Sequence, residues 1–136
     1  MRTTLLLVED DIDLGELTKM SLELRGYDVT LARDPEQAVA AIQQARPDIA
    51  VIDYFLERNA TGLDALKQLR QFPAMNGVPV FFMSGLLDTE IEKQIFAEGA
   101  LGLLTKPLQF NTLVARLQEA LAQPSSTTGD ASEGQR

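Results

Sequence analysis

The sequence predicts an α/β fold in which one parallel sheet is covered by helices on both faces. Apolar runs of strand length alternate five times with segments whose apolar residues recur at helical spacing, which is typical of strands joined by crossover helices. At 136 residues and 45% hydrophobic, the chain is long enough for one well-packed domain and too short for two ordinary ones. We therefore expect a single doubly wound domain.

The first two strand-helix units are marked by caps and stop signals. A strand at about 4–8 precedes a helix at about 13–25, which Gly26 ends. The predicted buried side of this helix consists of Leu14, Leu17, Leu22 and Leu24. The second strand follows at about 27–32, and the dipeptide "DP" at 34–35 supplies the cap and the first position of the second helix.

The other three units repeat the pattern. Buried strands at about 48–53 and 80–83 are each followed by a helix, at about 62–71 and 88–98 respectively. The stretch "LGLLTKP" supplies a short fifth strand, and Asn111 is predicted to cap the last helix. The apolar face of that helix consists of Leu113, Val114, Leu117 and Leu121.

Composition excludes several classes of site. The 20 acidic and 12 basic residues give a net charge of −8, which disfavours binding to nucleic acid or to an anionic membrane. The sequence has no cysteine and no histidine, so a metal must bind through oxygen ligands. It has neither a signal peptide's basic region nor an apolar run of membrane-spanning length. A soluble, cytoplasmic protein is the expectation.

The last residues differ in composition from the rest of the chain. The stretch "PSSTTGDASEGQR", residues 124–136, has no apolar residue beyond Ala131. Such a segment buries too little apolar surface to offset the entropy of ordering. We expect residues 1–123 to form the domain and residues 124–136 to be a disordered tail or a linker.

The polar residues that follow the predicted strands define a candidate site. In an open doubly wound sheet, the functional crevice lies outside the carboxyl ends of the strands. The residues just past those ends are Glu9, Asp10, Asp11, Asp53, Ser84 and Lys106. Clustered carboxylates need a cation, and hard oxygen ligands suit magnesium. A carboxylate beside Mg2+ can attack phosphorus while a hydroxyl and an ammonium hold the phosphoryl oxygens, so the set fits an aspartyl-phosphate acceptor.

Four stretches resemble the motifs of one family. "LLLVEDD", "VIDYFL", "MSG" and "LLTKP", in this order and at this spacing, are similar to those of a bacterial two-component response-regulator receiver domain. The resemblance covers about residues 2–123. It implies a flavodoxin-like fold like that of the chemotaxis regulators, with five parallel strands in the order 2-1-3-4-5. It also implies a phosphoprotein that switches its partners in a two-component system or phosphorelay.

The resemblance implies a role for each residue of the candidate site. Asp53 accepts a phosphoryl group from a phosphohistidine on a sensor histidine kinase or a histidine phosphotransfer protein. The implied Mg2+ ligands are Glu9, Asp10, Asp53 and the backbone carbonyl of Phe55. Ser84 binds the phosphoryl group and moves on activation, and Lys106 binds it too. The family also implies a cis bond between Lys106 and Pro107, which X-Pro chemistry permits.

Two positions depart from the family pattern. The family commonly has an aromatic residue three positions before the lysine, whose rotation relays phosphorylation to the output face, and this position is Leu103 here. The loop after Asp53 reads "YFLERNATG", with Glu57 where a proline is common and one residue more before Gly62. We expect the switch to involve Ser84 and Leu103, and the output surface to be the fourth helix, fifth strand and fifth helix.

The same residues allow other interpretations. The stretch "DLGE" at 13–16 resembles a capping box, so Asp13 is expected to cap the first helix. A haloacid-dehalogenase-like phosphatase needs a carboxylate two residues after its nucleophile, where this chain has Phe55. A flavodoxin needs a hydroxyl- and glycine-rich phosphate loop where this chain has "VEDDID". We expect no turnover of external substrates, and the alternative function is an unphosphorylated pseudo-receiver that acts as a protein-interaction module.

The expected partners are proteins. Besides the phosphohistidine donor, an effector domain or a downstream protein would receive the signal. The fourth-helix face is a candidate surface for a phosphorylation-dependent dimer. The sequence contains no DNA-binding segment, so the chain alone is not expected to bind an operator, and no contact with a membrane is expected.

Overall fold

The computed structural model describes residues 2–56, 60–86 and 88–122 of the chain. Within these ranges, five strands alternate with five α-helices, as the sequence predicts. The strands are β1 (Thr3–Val8), β2 (Tyr27–Ala32), β3 (Ile49–Asp53), β4 (Val80–Ser84) and β5 (Gly102–Thr105). The helices are α1 (Ile12–Glu23), α2 (Pro35–Gln44), α3 (Gly62–Leu69), α4 (Thr89–Ala97) and α5 (Phe110–Ala122). A short 3-10 helix at Pro73–Met75, which the sequence pattern does not predict, precedes β4.

The strands form one sheet in the order β2-β1-β3-β4-β5, and all neighbours are parallel. This confirms the predicted doubly wound fold and its strand order. Side chains alternate between the two faces of each strand. In β1, Leu5 and Leu7 belong to the core under α1 and α5, whereas Leu6 and Val8 belong to the core under α2, α3 and α4. The central strands β3 and β4 are buried on both faces, which explains their continuous apolar runs.

The parallel sheet brings the carboxyl ends of its strands to one edge. β3 lies at the centre, and all five of its residues, including Asp53, are buried. Its neighbour β1 is aligned so that Val8 lies opposite Ile52. The residues that follow this pair are Glu9 and Asp53, so these two acids lie side by side at the carboxyl edge of the sheet.

The buried face of α1 differs from the prediction. Its buried residues are Gly15, Thr18 and Leu22, whereas Leu17 and Leu24 are 53% and 83% exposed. Leu17 and Leu22 are five residues apart, which places them about 140° from each other around a helix, so they cannot share a face. A glycine lies on the buried face instead. A Cβ at Gly15 would lie 3.1 Å from Leu31 Cδ1 in β2, so a larger side chain would crowd this strand. The prediction that Leu17 and Leu24 are buried is wrong.

Two predicted helix caps are also wrong. The cap of α1 is Asp11, whose carboxylate accepts a hydrogen bond from a first-turn backbone N–H at 3.0 Å, and Asp13 lies inside that turn. An N-cap residue precedes the helix, and its side chain accepts hydrogen bonds from the N–H groups of the first turn that follows. Asp13 lies inside that turn, so it cannot be the cap. Helix α5 begins at Phe110, so Asn111 also lies inside its helix. The predicted cap at Asp34 is confirmed, with a hydrogen bond of 2.8 Å.

Several expectations concern residues outside the described ranges. They are the loop position Glu57, the extra residue in that loop, and the polar segment 124–136. The domain boundary at residue 123 likewise stays a prediction. No helix in the described part of the chain is long and apolar enough to cross a membrane.

Candidate functional site

Three carboxylates meet at the carboxyl edge of the sheet. Glu9 and Asp10 follow β1, and Asp53 is the last residue of β3. One carboxylate oxygen from each of the three residues lies within 4.8 Å of the others. Glu9 and Asp53 are buried, and Asp10 is half-buried. The strand ends therefore hold a compact cluster of acidic oxygens, as the sequence predicts for these three positions.

The fourth acid of the stretch, Asp11, does not belong to the cluster. Its side chain caps α1 instead, as described above. Its backbone N–H contributes to the site, because it donates to Glu9 Oε2 at 3.3 Å. The chain direction changes between Asp10 and Asp11, so one acidic stretch serves both a charge cluster and a helix cap.

Lys106 bridges two of the acids. Its Nζ atom lies 2.8 Å from Glu9 Oε1 and 2.9 Å from Asp53 Oδ2, and its side chain is 19% exposed. The residue follows β5. Its backbone N–H donates to the Ser84 carbonyl at 2.9 Å, and this bond holds the Lys106 backbone beside the end of β4. The Lys106–Pro107 peptide bond is cis, as the resemblance implies. The structure thus brings Lys106 to the acid cluster, where the sequence places it.

The pKa values of the cluster show the cost of collecting these charges. Burial raises the pKa of Glu9 above its usual range, and the neighbouring Asp53 raises it further, while Lys106 offsets only part of the increase. Burial also raises the pKa of Asp10, with a further contribution from the charge of Glu9. Burial lowers the pKa of Lys106, but its bonds to Glu9 and Asp53 outweigh that effect, so its pKa is raised overall and it stays a cation. One ammonium faces three carboxylates.

The donor set of the cluster fits Mg2+. Its three side chains offer carboxylate oxygens, which are the hard ligands this ion prefers, and half-buried Asp10 leaves the cluster open to water. The sequence contains no histidine or cysteine that would favour a softer metal. Phe55 lies two residues after Asp53, and its N–H donates to Asp53 Oδ1 at 3.3 Å. The role of its carbonyl as a further ligand stays a prediction.

Ser84 lies at the end of β4 and is fully buried. Its hydroxyl donates to the Leu86 carbonyl at 3.1 Å and accepts from the Leu86 N–H at 3.0 Å. The hydroxyl is therefore bonded to its own loop rather than to Asp53 or Lys106.

Two exposed apolar side chains belong to the loops beside Asp53. Phe55 is 47% exposed and Leu86 is 52% exposed. The other predicted switch position, Leu103, lies on β5, is half-buried, and packs against the core under α2, α3 and α4. Leu103 is therefore on the face of the sheet that carries α4.

Sequence reasoning missed two features of the site. One is the direct pairing of Lys106 with Glu9, since the resemblance implies only that the lysine binds a phosphoryl group. The other is a hydrogen bond from the Tyr54 hydroxyl to Gln94 Oε1 at 3.1 Å, which joins the residue after Asp53 to α4. These residues are forty positions apart, and no local pattern in the sequence indicates the pairing.

Comparison with known sequences points to one family. The family described as "Response regulator receiver domain" matches residues 5–118. The probable transcriptional regulatory protein TcrX of Mycobacterium tuberculosis is 33% identical over 127 residues, which cover 93% of this chain and 53% of that protein. The chain spans about half the length of such relatives.

Solved structures with the same fold agree with this match. The chemotaxis protein CheY4 of Vibrio cholerae has a TM-score of 0.82 and 28% identity, covering 88% of this chain and 98% of that chain. The receiver domain of the sensor histidine kinase PA1611 of Pseudomonas aeruginosa has a TM-score of 0.79 and 25% identity, covering 90% of this chain and 100% of that chain. That structure has a magnesium ion coordinated in its active-site cleft.

Replacing Lys106 tests the charge balance of the cluster. In Lys106→Met without Mg2+, Glu9 and Asp53 face each other with no counter-cation, so the free energy of unfolding should fall by about 2 kcal/mol, less than for a fully buried pair. Added Mg2+ should raise the melting temperature more in the variant than in the wild type, because the ion no longer competes with the ammonium. Thermal unfolding with and without Mg2+ measures both effects.

Lys19→Met is the matched control for this experiment. Lys19 also pairs with a carboxylate, Glu23, at 2.7 Å, but that pair is on the surface of α1. Its loss should change stability by less than about 1 kcal/mol and leave the response to Mg2+ as in the wild type. Equal Mg2+-induced shifts in Lys106→Met and the wild type would contradict competition between Lys106 and the ion.

Proposed function

Since the chain belongs to the response regulator receiver domain family, we propose that it is a phosphorylation switch in which Asp53 accepts the phosphoryl group. The observation that carries this proposal is the setting of Asp53. Its carboxylate ends the buried central strand, lies beside Glu9 and Asp10, and is held by Lys106. Burying several charges together costs stability, and such an arrangement is characteristic of sites that carry out charge chemistry.

The transfer step uses the Asp53 carboxylate as a nucleophile. One of its oxygens attacks the phosphorus of a phosphohistidine, so that an O–P bond forms and the N–P bond breaks. The histidine nitrogen leaves with the electron pair and is protonated. This sequence has no histidine, so the donor residue belongs to a sensor histidine kinase or a histidine phosphotransfer protein.

The carboxylates of Glu9, Asp10 and Asp53 and the carbonyl of Phe55 would hold Mg2+ beside the acceptor. When bound, the ion supplies positive charge that offsets the charge of the attacking carboxylate and of the phosphoryl oxygens. The all-oxygen donor set supports this assignment, as does the magnesium ion in the cleft of the PA1611 receiver domain.

Lys106 and Ser84 change partners when Asp53 is phosphorylated. The Lys106 ammonium leaves Glu9 for a phosphoryl oxygen, since the added negative charge lies next to the Asp53 oxygen that it already contacts. The Ser84 hydroxyl rotates away from Leu86 and donates to another phosphoryl oxygen. Leu86 lies on the connection to α4, so this rotation alters the position of that helix relative to the sheet.

The partners of the complete protein follow from the same proposal. The chain spans about half the length of relatives such as TcrX and the DNA-binding response regulator MtrA. We place the receiver in residues 1–123 and its output surface on α4, β5 and α5, where an effector domain, a downstream protein or a second phosphorylated copy would bind. In this role the chain gains and loses its own phosphoryl group in the cytoplasm rather than turning over an external substrate.

Intact-mass spectrometry with a small phosphoryl donor tests the acceptor role. Incubation with acetyl phosphate and Mg2+ should add one phosphoryl group to the wild type and none to Asp53→Asn, because the amide is a poor nucleophile. Leaving out Mg2+ or introducing Glu9→Gln should reduce the adduct by at least about tenfold. The control is Asp28→Asn, which neutralises an exposed acid on β2 and should be phosphorylated like the wild type.

Two outcomes of this experiment would count against the acceptor role. An adduct that persists in Asp53→Asn would place the modification elsewhere. A wild type that takes up no phosphoryl group and does not bind Mg2+ would favour the pseudo-receiver.

The apolar side chains in the flanking loops predict a slow loss of the phosphoryl group. Phe55 and Leu86 are bulky and exposed, and they should hinder the approach of water to phosphorylated Asp53. We expect a lifetime of minutes or more in Mg2+ buffer, and a lifetime several-fold shorter in Phe55→Ala and Leu86→Ala. The decay of the adduct mass after removal of the donor measures it.

Leu24→Ala is the control for phosphoryl loss. It removes a comparable exposed side chain from the end of α1, away from the strand ends, and should not alter the decay. Loss of the phosphoryl group from the wild type within seconds would rule out this shielding.

A further inference from the structure

A tyrosine next to Asp53 is bonded to helix α4. Tyr54 directly follows Asp53, and its hydroxyl donates a hydrogen bond of 3.1 Å to Gln94 Oε1. The two residues belong to different parts of the chain, one at the end of the central strand and the other in the middle of α4. Neither residue has a part in the phosphoryl chemistry proposed above.

The tyrosine end of this bond is fixed to the sheet. The Tyr54 N–H donates to the Met83 carbonyl at 2.8 Å, and the Tyr54 carbonyl accepts from the Gly62 N–H at the start of α3. Tyr54 is 7% exposed, and its ring makes edge-to-face contacts with Phe55 and Phe82, at centroid distances of 5.0 Å and 6.2 Å. The backbone bonds and these ring contacts therefore tie Tyr54 to β4, α3 and the core rather than to α4.

The glutamine end lies on a helix with few buried residues. Ile91 and Ile95 are the buried side chains of α4, and α2 and α5 likewise bury two residues each. Gln94 itself is exposed and lies at the border of this buried face, about 60° around the helix from Ile91. The hydrogen bond thus adds a directional contact to a small apolar one, and its loss changes how firmly α4 is held.

The residue at the usual relay position cannot provide this bond. Leu103 packs on the same face of the sheet as Tyr54, Ile91 and Ile95, but its side chain has no polar atom. An aromatic ring with a hydroxyl is supplied instead from the end of β3, next to the phosphoacceptor.

We propose that the Tyr54–Gln94 hydrogen bond holds α4 in its unphosphorylated position and that its rupture reports phosphorylation of Asp53 to the output surface. The second half of this inference rests on the proposed function. When the Ser84 hydroxyl releases Leu86, the chain leading into α4 shifts, and Gln94 moves with the helix. Tyr54 stays with β3 and β4, so the bond between a fixed donor and a moving acceptor breaks.

Hydrogen exchange of α4 in the unmodified protein tests the first half. Tyr54→Phe removes the hydroxyl and keeps the ring, so the α4 amides (89–97) should exchange roughly two- to tenfold faster than in the wild type. Gln94→Met, which keeps the length and loses the acceptor, should have the same effect. Gln94→Glu keeps an acceptor oxygen and should exchange like the wild type. A purely steric role for residue 94 predicts no change in Gln94→Met either, so the difference between these two variants separates the hydrogen bond from packing.

Tyr27→Phe is the matched control. It removes the hydroxyl of another buried tyrosine, which lies on β2 in the core under α1 and α5. Exchange at α4 should not change in this variant. Equal α4 exchange in the wild type, Tyr54→Phe and Gln94→Met overturns the inference, whatever happens at Asp53.

The second half is tested with a phosphoryl mimic. Mg2+ with beryllium fluoride should speed α4 exchange in the wild type and add little in Tyr54→Phe, where the bond is already missing. A full response to the mimic in Tyr54→Phe overturns the relay. Uptake from acetyl phosphate, measured by mass in the same variants, should stay within about twofold of the wild type. A wild type that takes up no phosphoryl group contradicts the proposed function, and this result is seen in the mass rather than in the exchange rates.

Discussion

The structure depends on a charge imbalance at the carboxyl ends of two adjacent strands. Because β1 and β3 are parallel neighbours, the acids that follow them must come together, and Glu9 and Asp53 are buried where they meet. Lys106 supplies one positive charge to a site with three carboxylates. Loss of this ammonium would leave adjacent buried carboxylates without a counter-charge, and the remaining excess of negative charge favours binding of a further cation. Burial is the main cause of the raised pKa values of Glu9 and Asp10, and the neighbouring carboxylates raise them further. The excess of negative charge also explains the fit to Mg2+.

The fold separates a rigid part from a movable part around this site. The central strands are buried on both faces, so Asp53 and Tyr54 have fixed positions. The parts that respond in the proposed switch are the Ser84 hydroxyl, which is bonded to Leu86 in its own loop, and α4, which follows that loop. We therefore expect a change in charge at Asp53 to move the helix more than the sheet. This division is what a two-state element requires.

The sequence predicts the sheet and the acid cluster well because both follow from one-dimensional patterns. Continuous apolar runs mark the strands, and parallel strands bring whatever follows them to one edge, so Glu9, Asp53 and Lys106 could be placed without coordinates. The buried face of α1 could not be predicted in this way. It includes Gly15 rather than Leu17, because the helix lies so close to Leu31 that a larger side chain would crowd it. The cap at Asp11 was missed because the local pattern at 13–16 competes with it. The pairing of Tyr54 with Gln94 depends on the position of α4 over the sheet, which no local pattern encodes.

Lys106 pairs with Glu9 and Asp53 in the resting state, and we expect it to leave Glu9 when Mg2+ and a phosphoryl group arrive. A crystal structure with Mg2+ and beryllium fluoride tests this most directly. We expect the ion on the carboxylates of Glu9, Asp10 and Asp53. Lys106 Nζ should have moved from Glu9 Oε1 to a fluorine of the beryllium fluoride bound to Asp53. A structure in which beryllium fluoride occupies Asp53 while Lys106 remains on Glu9 and the ion lies elsewhere would contradict it.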